Sequence, residues 1–451
     1  AIKEVKMSEL DCFIERIQNI CGQDTAELDL TKARQVVKEI NEFLYTNYDG
    51  IGTINELGME LNYFSEFHKY WYEHHREIID LQISDNACEK VADALHDVYV
   101  RTGGRAFSEV YDTNNLSVGD ICRIRFLTAN QDFRGSRNFA ELSEIFLTDP
   151  SIFDERCIVE APADFVKSIG MTSLSQNDKR LQFAKRISQF LLEHDSSPYN
   201  IIDCFDRNVS EFRQALIQYD GAGYGNKKAD MFIRDMVVLG VWENITGFDR
   251  IDVASDINTI KVALRTGILT SAIPLVSSFI DIFGYQYGYV DEVNAAAWRR
   301  VWEIWKDRYP NETISSPCLL DYFIYNVVGR QFCKEILCDF ECELGHRFKW
   351  HNPRNRTCQI CYVNNNRRER ARLIGKIIPC NDADGNIAIR ETKFYRSGIA
   401  NPNFGQCPFR AICDEYGMKQ LLPPKSISIM GQTGWTTAYT DKDAGGGGLM
   451  A

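Results

Sequence analysis

The cysteines of this chain are distributed so unevenly that its last third is expected to fold differently from the rest. Of fifteen cysteines in 451 residues, six are scattered before Cys318 and nine fall between Cys318 and Cys413. The odd total and the clustering argue against the disulfide scaffold of a secreted protein. No signal peptide is recognisable. We therefore expect an intracellular protein, of cytoplasm and nucleoid or of a nucleus, with metal ligands in its last third.

Ahead of this region, apolar residues recur at helical spacing, and few runs alternate with period two. In residues 181–192, for example, Phe183, Ile187 and Phe190 share one face. A hydrophobic fraction of 44% is enough to bury a core, and the length suggests two or three domains. We predict a mainly α protein that begins with a helical domain over residues 1–105.

A glycine-rich segment, residues 221–235, carries the strongest chemical signal and begins Gly-Ala-Gly-Tyr-Gly-Asn-Lys-Lys-Ala-Asp. Gly223 and Gly225 predict a tight turn whose backbone can approach a phosphate. A helix beginning near Lys227 would point its free N–H groups at that phosphate. Because the segment follows a predicted helix, Val209–Gln218, rather than a strand, it fails the context test for a dinucleotide-binding loop.

The spacing Gly-x-Gly-x-Lys-x-Ala resembles the hairpin of the helix-hairpin-helix (HhH-GPD) DNA glycosylase superfamily, which includes endonuclease III and the 8-oxoguanine DNA glycosylases. In its bifunctional members the hairpin lysine is the nucleophile, and the match gives that role to Lys227 rather than Lys228. Ala229-Asp230 is similar to the 8-oxoguanine branch. The resemblance implies a two-lobed helical glycosylase domain over residues 106–335.

A second motif of the superfamily follows the hairpin. The family has a catalytic Asp followed by a polar residue two positions later, a basic residue five later, Arg nine later and Gly eleven later. Asp256 fits this frame, with Asn258, Lys261, Arg265 and Gly267 in place. Asp252 is the alternative, although it does not put Arg and Gly in register. Taken alone, Asp256 could also be the N-cap of a helix over 257–265.

Residues 123–131 are similar to the early family helix that ends in Ser-x-Gln or Ser-x-Asn. There the Asn or Gln fills the gap left by the extruded base or contacts its orphaned partner. The resemblance makes Asn130 and Gln131 the candidates for this contact. The alternative is that both side chains cap a helix or pack in the interior.

A four-thiolate zinc site is predicted within residues 336–376. The spacing Cys338-x3-Cys342-x15-Cys358-x2-Cys361 is typical of such sites. His346 and His351 are alternative ligands, and buried free thiols are the alternative to a metal site.

The segment Cys407 to Cys413 is similar to the last half of the iron–sulfur loop of endonuclease III. The resemblance implies a [4Fe–4S] cluster in a loop region over residues 377–420, before an irregular tail over 421–451. Its ligands would be Cys333, Cys380, Cys407 and Cys413. Cys380 replaces the family's second ligand, since Phe404 stands at that position. A second zinc site or partly free thiols are the alternatives, and Cys318 or Cys338 could be exchanged into the set.

The formal net charge of -12 hides a basic segment. Residues 347–376 contain nine Arg and Lys residues against one acid, Glu369, which is a local +8. Such a charge run is usually a solvated face, but next to a zinc module it is expected to contact phosphates without reading sequence. The candidates are Arg367, Arg368, Arg370 and Arg372.

Together these features predict a DNA glycosylase that flips a damaged or modified base out of double-stranded DNA, with AP-lyase activity, an oxidised purine such as 8-oxoguanine being favoured. The alternatives are a hypermodified base of foreign DNA, a modified base in RNA, or a non-catalytic protein that binds modified DNA. We expect a monomer without a small organic cofactor. The most apolar stretch, residues 268–289, contains polar residues and predicts a core segment rather than a membrane span.

Overall fold

The computed structural model confirms a mainly α protein. It describes residues 80–108, 110–132, 137–172, 177–271, 288–333 and 407–416. It also describes the segments 28–29, 338–342, 344–349 and 374–379, and the isolated residues 12, 15, 16, 19, 76 and 383.

The described part of the chain contains twelve α-helices. They are α1 Asp85–Thr102, α2 Val118–Thr128, α3 Phe139–Thr148, α4 Glu155–Glu160, α5 Pro162–Ser168, α6 Asn177–Glu193, α7 Val209–Gln218, α8 Asn226–Val238, α9 Ile257–Thr266, α10 Gly288–Arg308, α11 Leu320–Tyr322 and α12 Arg410–Tyr416. A π-helix, Phe323–Phe332, continues directly from α11. Short 3-10 helices fill several of the connections, among them Ala129–Gln131 after α2 and Pro317–Leu319 before α11.

Helices α2 to α8 surround one apolar core. Its centre is the fully buried Phe126 of α2, whose ring lies 5.3 to 6.4 Å from the rings of Phe190, Phe212, Tyr224 and Phe232. Such offset and edge-on ring contacts add to the stabilisation that comes from burying the apolar area itself. This core therefore joins α2, α6, α7 and α8 and fixes where α8 begins.

A second group of helices consists of α1, α9, α10 and the π-helix. Helix α1 packs along α10, where Tyr99 meets Trp305 edge-on at 5.8 Å between ring centroids. Strand β2, Leu81–Ile83, pairs antiparallel with β3, Leu269–Ser271, which follows α9. Residues 81–102 therefore pack with elements of the 106–335 region, so the boundary predicted at residue 105 falls inside a packed unit.

Buried ion pairs join the two groups. Arg234 of α8 donates to Asp321 of α11 at 2.6 Å and also bonds the neighbouring Asp235. Asp235 in turn accepts from Arg125 of α2 at 3.1 Å and from the Tyr111 hydroxyl at 3.0 Å. Removing one member of such a network would leave an uncompensated buried charge, which costs several kcal/mol, on the order of 3–5.

The C-terminal part contributes a small antiparallel sheet of order β1-β6-β4-β5, with β1 Leu28–Asp29, β6 Ile374–Pro379, β4 Cys338–Cys342 and β5 Arg347–Lys349. Helix α12 packs against α9 and α1. Of the helices within the described residues, none is long and apolar enough to span a membrane.

Candidate active site

The glycine-rich segment forms a tight turn between α7 and α8. Gly221 and Gly223 have positive φ angles of 73° and 74°. A Cβ added at Gly223 would lie 2.5 Å from the ring of Phe183 on α6, so both the backbone and the close approach require glycine. Gly225 is the N-cap of α8 and faces open space, with nothing within 4 Å of an added Cβ.

An ion pair on the far side of this turn holds α7 against α8. Arg213 of α7 bonds both carboxylate oxygens of Asp230, through Nε and, at 3.0 Å, through Nη2. Burial raises the pKa of Asp230 to about 6, against the opposing effect of Arg213. The Ala-Asp pair after the lysines therefore has a structural task in this hairpin.

The structure brings the predicted nucleophile and the predicted carboxylate together. Lys227 Nζ, in the first turn of α8, lies 4.0 Å from Oδ2 of Asp256 at the start of α9. The Lys227 side chain is 52% exposed, whereas that of Asp256 is 8% exposed. The arrangement is a solvent-accessible amine beside a nearly buried carboxylate.

The backbone of α9 fixes the orientation of the Asp256 carboxylate. Oδ1 accepts from the N–H groups of Asn258 and Thr259 at 2.9 and 2.8 Å, and the Thr259 hydroxyl accepts from the Asp256 N–H. This is a complete capping box, and it confirms the N-cap position. Among the described residues, Oδ2 receives the Asn258 amide at 3.3 Å, and it is the oxygen that faces Lys227.

The remaining motif residues of α9 connect the helix to its neighbours. Lys261 Nζ donates to the Gly329 carbonyl of the π-helix at 2.9 Å, and Arg265 donates to Cys333 Sγ at 3.1 Å. Gly267 ends α9 with φ 75°, in the left-handed conformation that favours glycine. The alternative carboxylate, Asp252, instead accepts from Arg299 at 2.7 Å.

The second lysine of the hairpin points away from Asp256. Lys228 Nζ donates to the Asn130 carbonyl at 2.8 Å. Burial lowers the pKa of Lys228 to about 8, and the neighbouring Lys227 adds to this decrease. Because the amine of the half-buried Lys228 is held by the Asn130 carbonyl, the exposed Lys227 is the more accessible lysine of the hairpin.

Asn130 and Gln131 differ from the expectation of a DNA-facing pair, because both are fully buried. Asn130 Nδ2 donates to the carbonyls of Phe183 and Ala222 at 3.1 and 2.9 Å, and so joins α2 to α6 and to the glycine turn. Gln131 Nε2 donates to the Arg180 carbonyl, while Arg180 returns a bond to the Gln131 carbonyl. In this structure the two amides support the hairpin from inside.

Two further carboxyls near the site were not identified from the sequence. Burial raises the pKa of Asp291, on α10, to about 6 and that of Asp321 to about 7. The charges of Asp256 and Lys227 act on both groups. Nothing in the spacing of these residues relates them to the hairpin, since only the packing of α10 and α11 brings them close.

Part of the proposed cluster set lies in the described residues. Cys333 and Cys413 are buried and Cys407 is half-buried. Burial raises the pKa of the Cys407 thiol to about 12, and the nearby Cys333 adds to the increase. Within the described segments no three His, Cys, Asp or Glu side chains form a group able to hold a metal. Arg265 lies near both Cys333 and Cys407, and the fourth predicted ligand, Cys380, lies outside the described residues.

The zinc and arginine predictions lie mostly beyond what the structure describes. Cys338 and Cys342 begin and end β4, which pairs with β5 across a turn at Gly345 with φ 78°. Their side chains are outside the described residues. The other predicted residues lie wholly outside the described part of the chain: Cys358, Cys361, Arg367, Arg368, Arg370 and Arg372.

The chain was compared with known protein families, with curated proteins and with solved structures, and none of them matches it.

Proposed function

We propose that this protein is a DNA glycosylase with AP-lyase activity, in which Lys227 attacks the sugar and Asp256 stabilises the charge that develops there. The observation that carries the proposal is the 4.0 Å approach of Lys227 Nζ to Asp256 Oδ2. Two sequence motifs that resemble the same superfamily thus meet at one place in the fold. The two helical groups would form the two lobes of that fold.

The exposure of the two groups suits a base that enters from outside. A nucleotide within a duplex cannot be reached, so it must first be flipped out, at a cost of a few kcal/mol. The half-exposed Lys227 can meet C1′ of such a nucleotide. The nearly buried Asp256 holds its charge in a poorly solvated position, where it acts more strongly on a developing cation than it would in water.

The reaction needs only groups of this chain, the substrate and water. The neutral amine of Lys227 forms a bond to C1′, while the glycosidic bond breaks and its electron pair leaves with the base, which takes up a proton. The sugar ring then opens to a protonated imine. Loss of a C2′ proton expels the 3′ phosphate oxygen and nicks the strand. Water finally hydrolyses the imine and frees the lysine.

We assign DNA contacts to two parts of the chain. The first turn of α8 has no side-chain cap, and Gly225 leaves open space in front of it, so a backbone phosphate can approach its N–H groups. The arginines at 367–372 would add affinity that depends on salt rather than on sequence. A zinc ion on Cys338, Cys342, Cys358 and Cys361 would order the segment that carries these arginines.

The iron–sulfur proposal concerns architecture rather than chemistry. A cluster on Cys333, Cys380, Cys407 and Cys413 would attach the C-terminal segment to α9, against which α12 packs. For the substrate we propose an oxidised purine such as 8-oxoguanine, on the resemblance of Ala229-Asp230 to that branch.

Borohydride trapping tests the proposed reaction. The full chain is incubated with a duplex that carries a natural abasic site, with and without borohydride, and the covalent adduct is resolved by electrophoresis. We expect an adduct with the unaltered chain and none with Lys227→Gln. Lys185→Gln, which makes the same change at an exposed position of α6, is the matched control and should trap normally. Absence of an adduct with the unaltered chain, or an adduct that survives Lys227→Gln, contradicts the proposal.

A panel of duplexes with different altered bases then identifies the substrate. Base release and nicking are scored separately for each duplex. Release of 8-oxoguanine in preference to undamaged guanine supports the oxidised-purine proposal. Release confined to other bases rejects that substrate while leaving the lysine reaction intact.

A further inference from the structure

A chain of hydrogen bonds leads from the π-helix to the carboxylate oxygen that faces Lys227. Lys261 Nζ donates to the Gly329 carbonyl of the π-helix at 2.9 Å and to Asn258 Oδ1 at 3.3 Å. Asn258 Nδ2 in turn donates to Asp256 Oδ2, also at 3.3 Å. Oδ2 is the oxygen that lies 4.0 Å from Lys227 Nζ, so this chain ends on an atom of the candidate site.

The donors and acceptors of this chain of hydrogen bonds all run in one direction. The ammonium of Lys261 has three N–H donors and no acceptor, so it can bond only the amide oxygen of Asn258. The amide nitrogen is thereby directed at the Asp256 carboxylate, which can only accept when it is ionised. Both neighbours of Asn258 therefore select the same orientation of its amide. Each of the two bonds involves a charged group, which makes it stronger than a bond between neutral groups.

The geometry of α9 accounts for this alignment. Asp256 is the N-cap of the helix, and its Oδ1 accepts from the backbone N–H groups of the first turn. Asn258 and Lys261 are three residues apart in α9, so their side chains lie on one face of the helix. The capping box thus holds Oδ1, and the Lys261–Asn258 pair holds Oδ2.

The π-helix supplies the fixed end of the chain of hydrogen bonds. Gly329 is buried, and a Cβ added there would lie 2.8 Å from Asn258 Cβ, so the backbone of the π-helix lies directly against Asn258. Its carbonyl is the group that accepts from Lys261. Asn258 and Lys261 are both half-buried, which limits competition from water for these bonds. The π-helix, a rare element that often occurs at functional sites, therefore restrains both side chains.

From this geometry we propose that Lys261 is a positioning residue, which acts through Asn258 to hold Asp256 Oδ2 towards the sugar that Lys227 attacks. The inference rests on the proposed function, because it assigns the support of that carboxylate. Asp256 acts when the base leaves, since the sugar then gains positive charge. A natural abasic site has no base to lose, and its aldehyde reacts with the Lys227 amine without developing that charge. Loss of the support should therefore slow base release and spare the formation of the covalent adduct.

A comparison of base release with borohydride trapping tests the assignment. Base release is measured under single-turnover conditions on the duplex whose base the unaltered chain releases, expected to carry 8-oxoguanine. Trapping is measured on a duplex with a natural abasic site. Lys261→Met removes the donors, so it should slow base release by about 10- to 100-fold through the displaced carboxylate. Its rate of trapping should stay within about twofold of that of the unaltered chain. Lys185→Met, at an exposed position of α6, is the matched control and should change neither rate.

A double-mutant cycle tests whether Lys261 acts through Asn258. Asn258→Ala should slow base release at least as much as Lys261→Met does. The variant that combines both substitutions should be no more than about twofold slower than Asn258→Ala, because residues that act through one another have non-additive effects. In an Asp256→Asn background, Lys261→Met should change the rate by less than about twofold, because the charge that it positions is absent.

The inference is overturned, while the Lys227 reaction stands, if folded Lys261→Met releases the base at the unaltered rate or loses trapping equally. A loss that persists in the Asp256→Asn background also overturns it, and makes Lys261 a phosphate contact if DNA binding weakens as well. Thermal unfolding shows whether each variant is folded. If Lys261→Met does not fold, Asn258→Ala carries the same comparison, and release at the unaltered rate by that variant rejects the inference. If the unaltered chain neither releases a base nor traps, the proposed function itself has failed.

Discussion

At the scale of single residues, Asp256 caps helix α9 and also presents a carboxylate oxygen to Lys227. Its Oδ1 is used by the backbone of α9, and its Oδ2 faces Lys227. Asparagine caps helices about as well as aspartate. The two tasks can therefore be separated by substitution.

Asp256→Asn should leave the unfolding free energy nearly unchanged but slow base release by about 10²–10³-fold, because the charge opposite the developing cation is lost. Asp256→Ala should in addition lose about 1 kcal/mol of stability with the cap. Urea unfolding and single-turnover base release measure the two effects. If Asp256→Asn releases the base as fast as the unaltered chain does, Asp256 acts only as a helix cap.

Asn130→Ala tests whether the buried amide supports the hairpin or contacts DNA. The substitution leaves the carbonyls of Phe183 and Ala222 without this donor, which should cost about 1–3 kcal/mol of stability. Urea unfolding and DNA affinity are measured on the same preparation. Weaker DNA binding with an unchanged unfolding free energy would favour the gap-filling role expected from the sequence.

The sequence predicts some site residues better than others for a physical reason. Lys227 and Asp256 each sit in a local motif in which glycines, capping residues and helix spacing are set by near neighbours. Asn130 and Asp291 depend on which surfaces the helices present to each other, and no local spacing encodes that. The burial of Asn130 follows only from the packing of α2, and the electrostatic effect of Lys227 on Asp291 follows only from the packing of α10.

At the scale of elements, the two glycines of the hairpin motif have different tasks. Gly223 has a positive φ and lies against Phe183, whereas Gly225 is extended and open. Gly223→Ala should cost more than about 1–2 kcal/mol, which is the left-handed penalty before any displacement of the ring. Gly225→Ala replaces a favourable N-cap by an unfavourable one, so it should cost less, about 0.5–1 kcal/mol, and should also reduce DNA affinity. Equal losses of stability in urea would contradict this division.

The bounds of the helices around the site are close to those predicted from the sequence, whereas the packing of these helices was not predicted. Val209–Gln218 has the predicted bounds, and the helix predicted over 257–265 is one residue longer. The π-helix over Phe323–Phe332 was not predicted, because its cause is tertiary. A Cβ at Gly329 would lie 2.8 Å from Asn258 Cβ, so the π-helix approaches α9 as closely as glycine allows.

At the scale of the whole molecule, the predicted metals are expected to attach the C-terminal part to the helical body. Cys333→Ser or Cys407→Ser should abolish the iron-dependent absorption at about 410 nm, because each substitution removes a proposed cluster ligand. Both should also lower the midpoint of thermal unfolding, because α12 packs against α9 in this region. Cys204→Ser, at an exposed thiol, is the control and should keep the absorption. If the protein is colourless, contains no iron and binds more than one zinc ion, the cluster proposal is wrong and a second zinc site is favoured.

The distribution of charge along the chain, rather than the net charge, determines the expected DNA affinity. A net charge of -12 with a local +8 at residues 347–376 predicts that DNA affinity falls steeply with salt, although the protein as a whole is acidic. Composition alone does not predict this salt dependence. The salt dependence is predicted by the position of the basic segment, which lies next to the predicted zinc cysteines in the sequence.

The most direct test of the central claim is the identification of the lysine that is covalently trapped on an abasic-site duplex. The adduct formed under borohydride is digested with protease and nuclease, and the modified peptide is sequenced by mass spectrometry. We expect a single modification, on Lys227 rather than on the half-buried Lys228. A modification on any other lysine, or none at all, would contradict it.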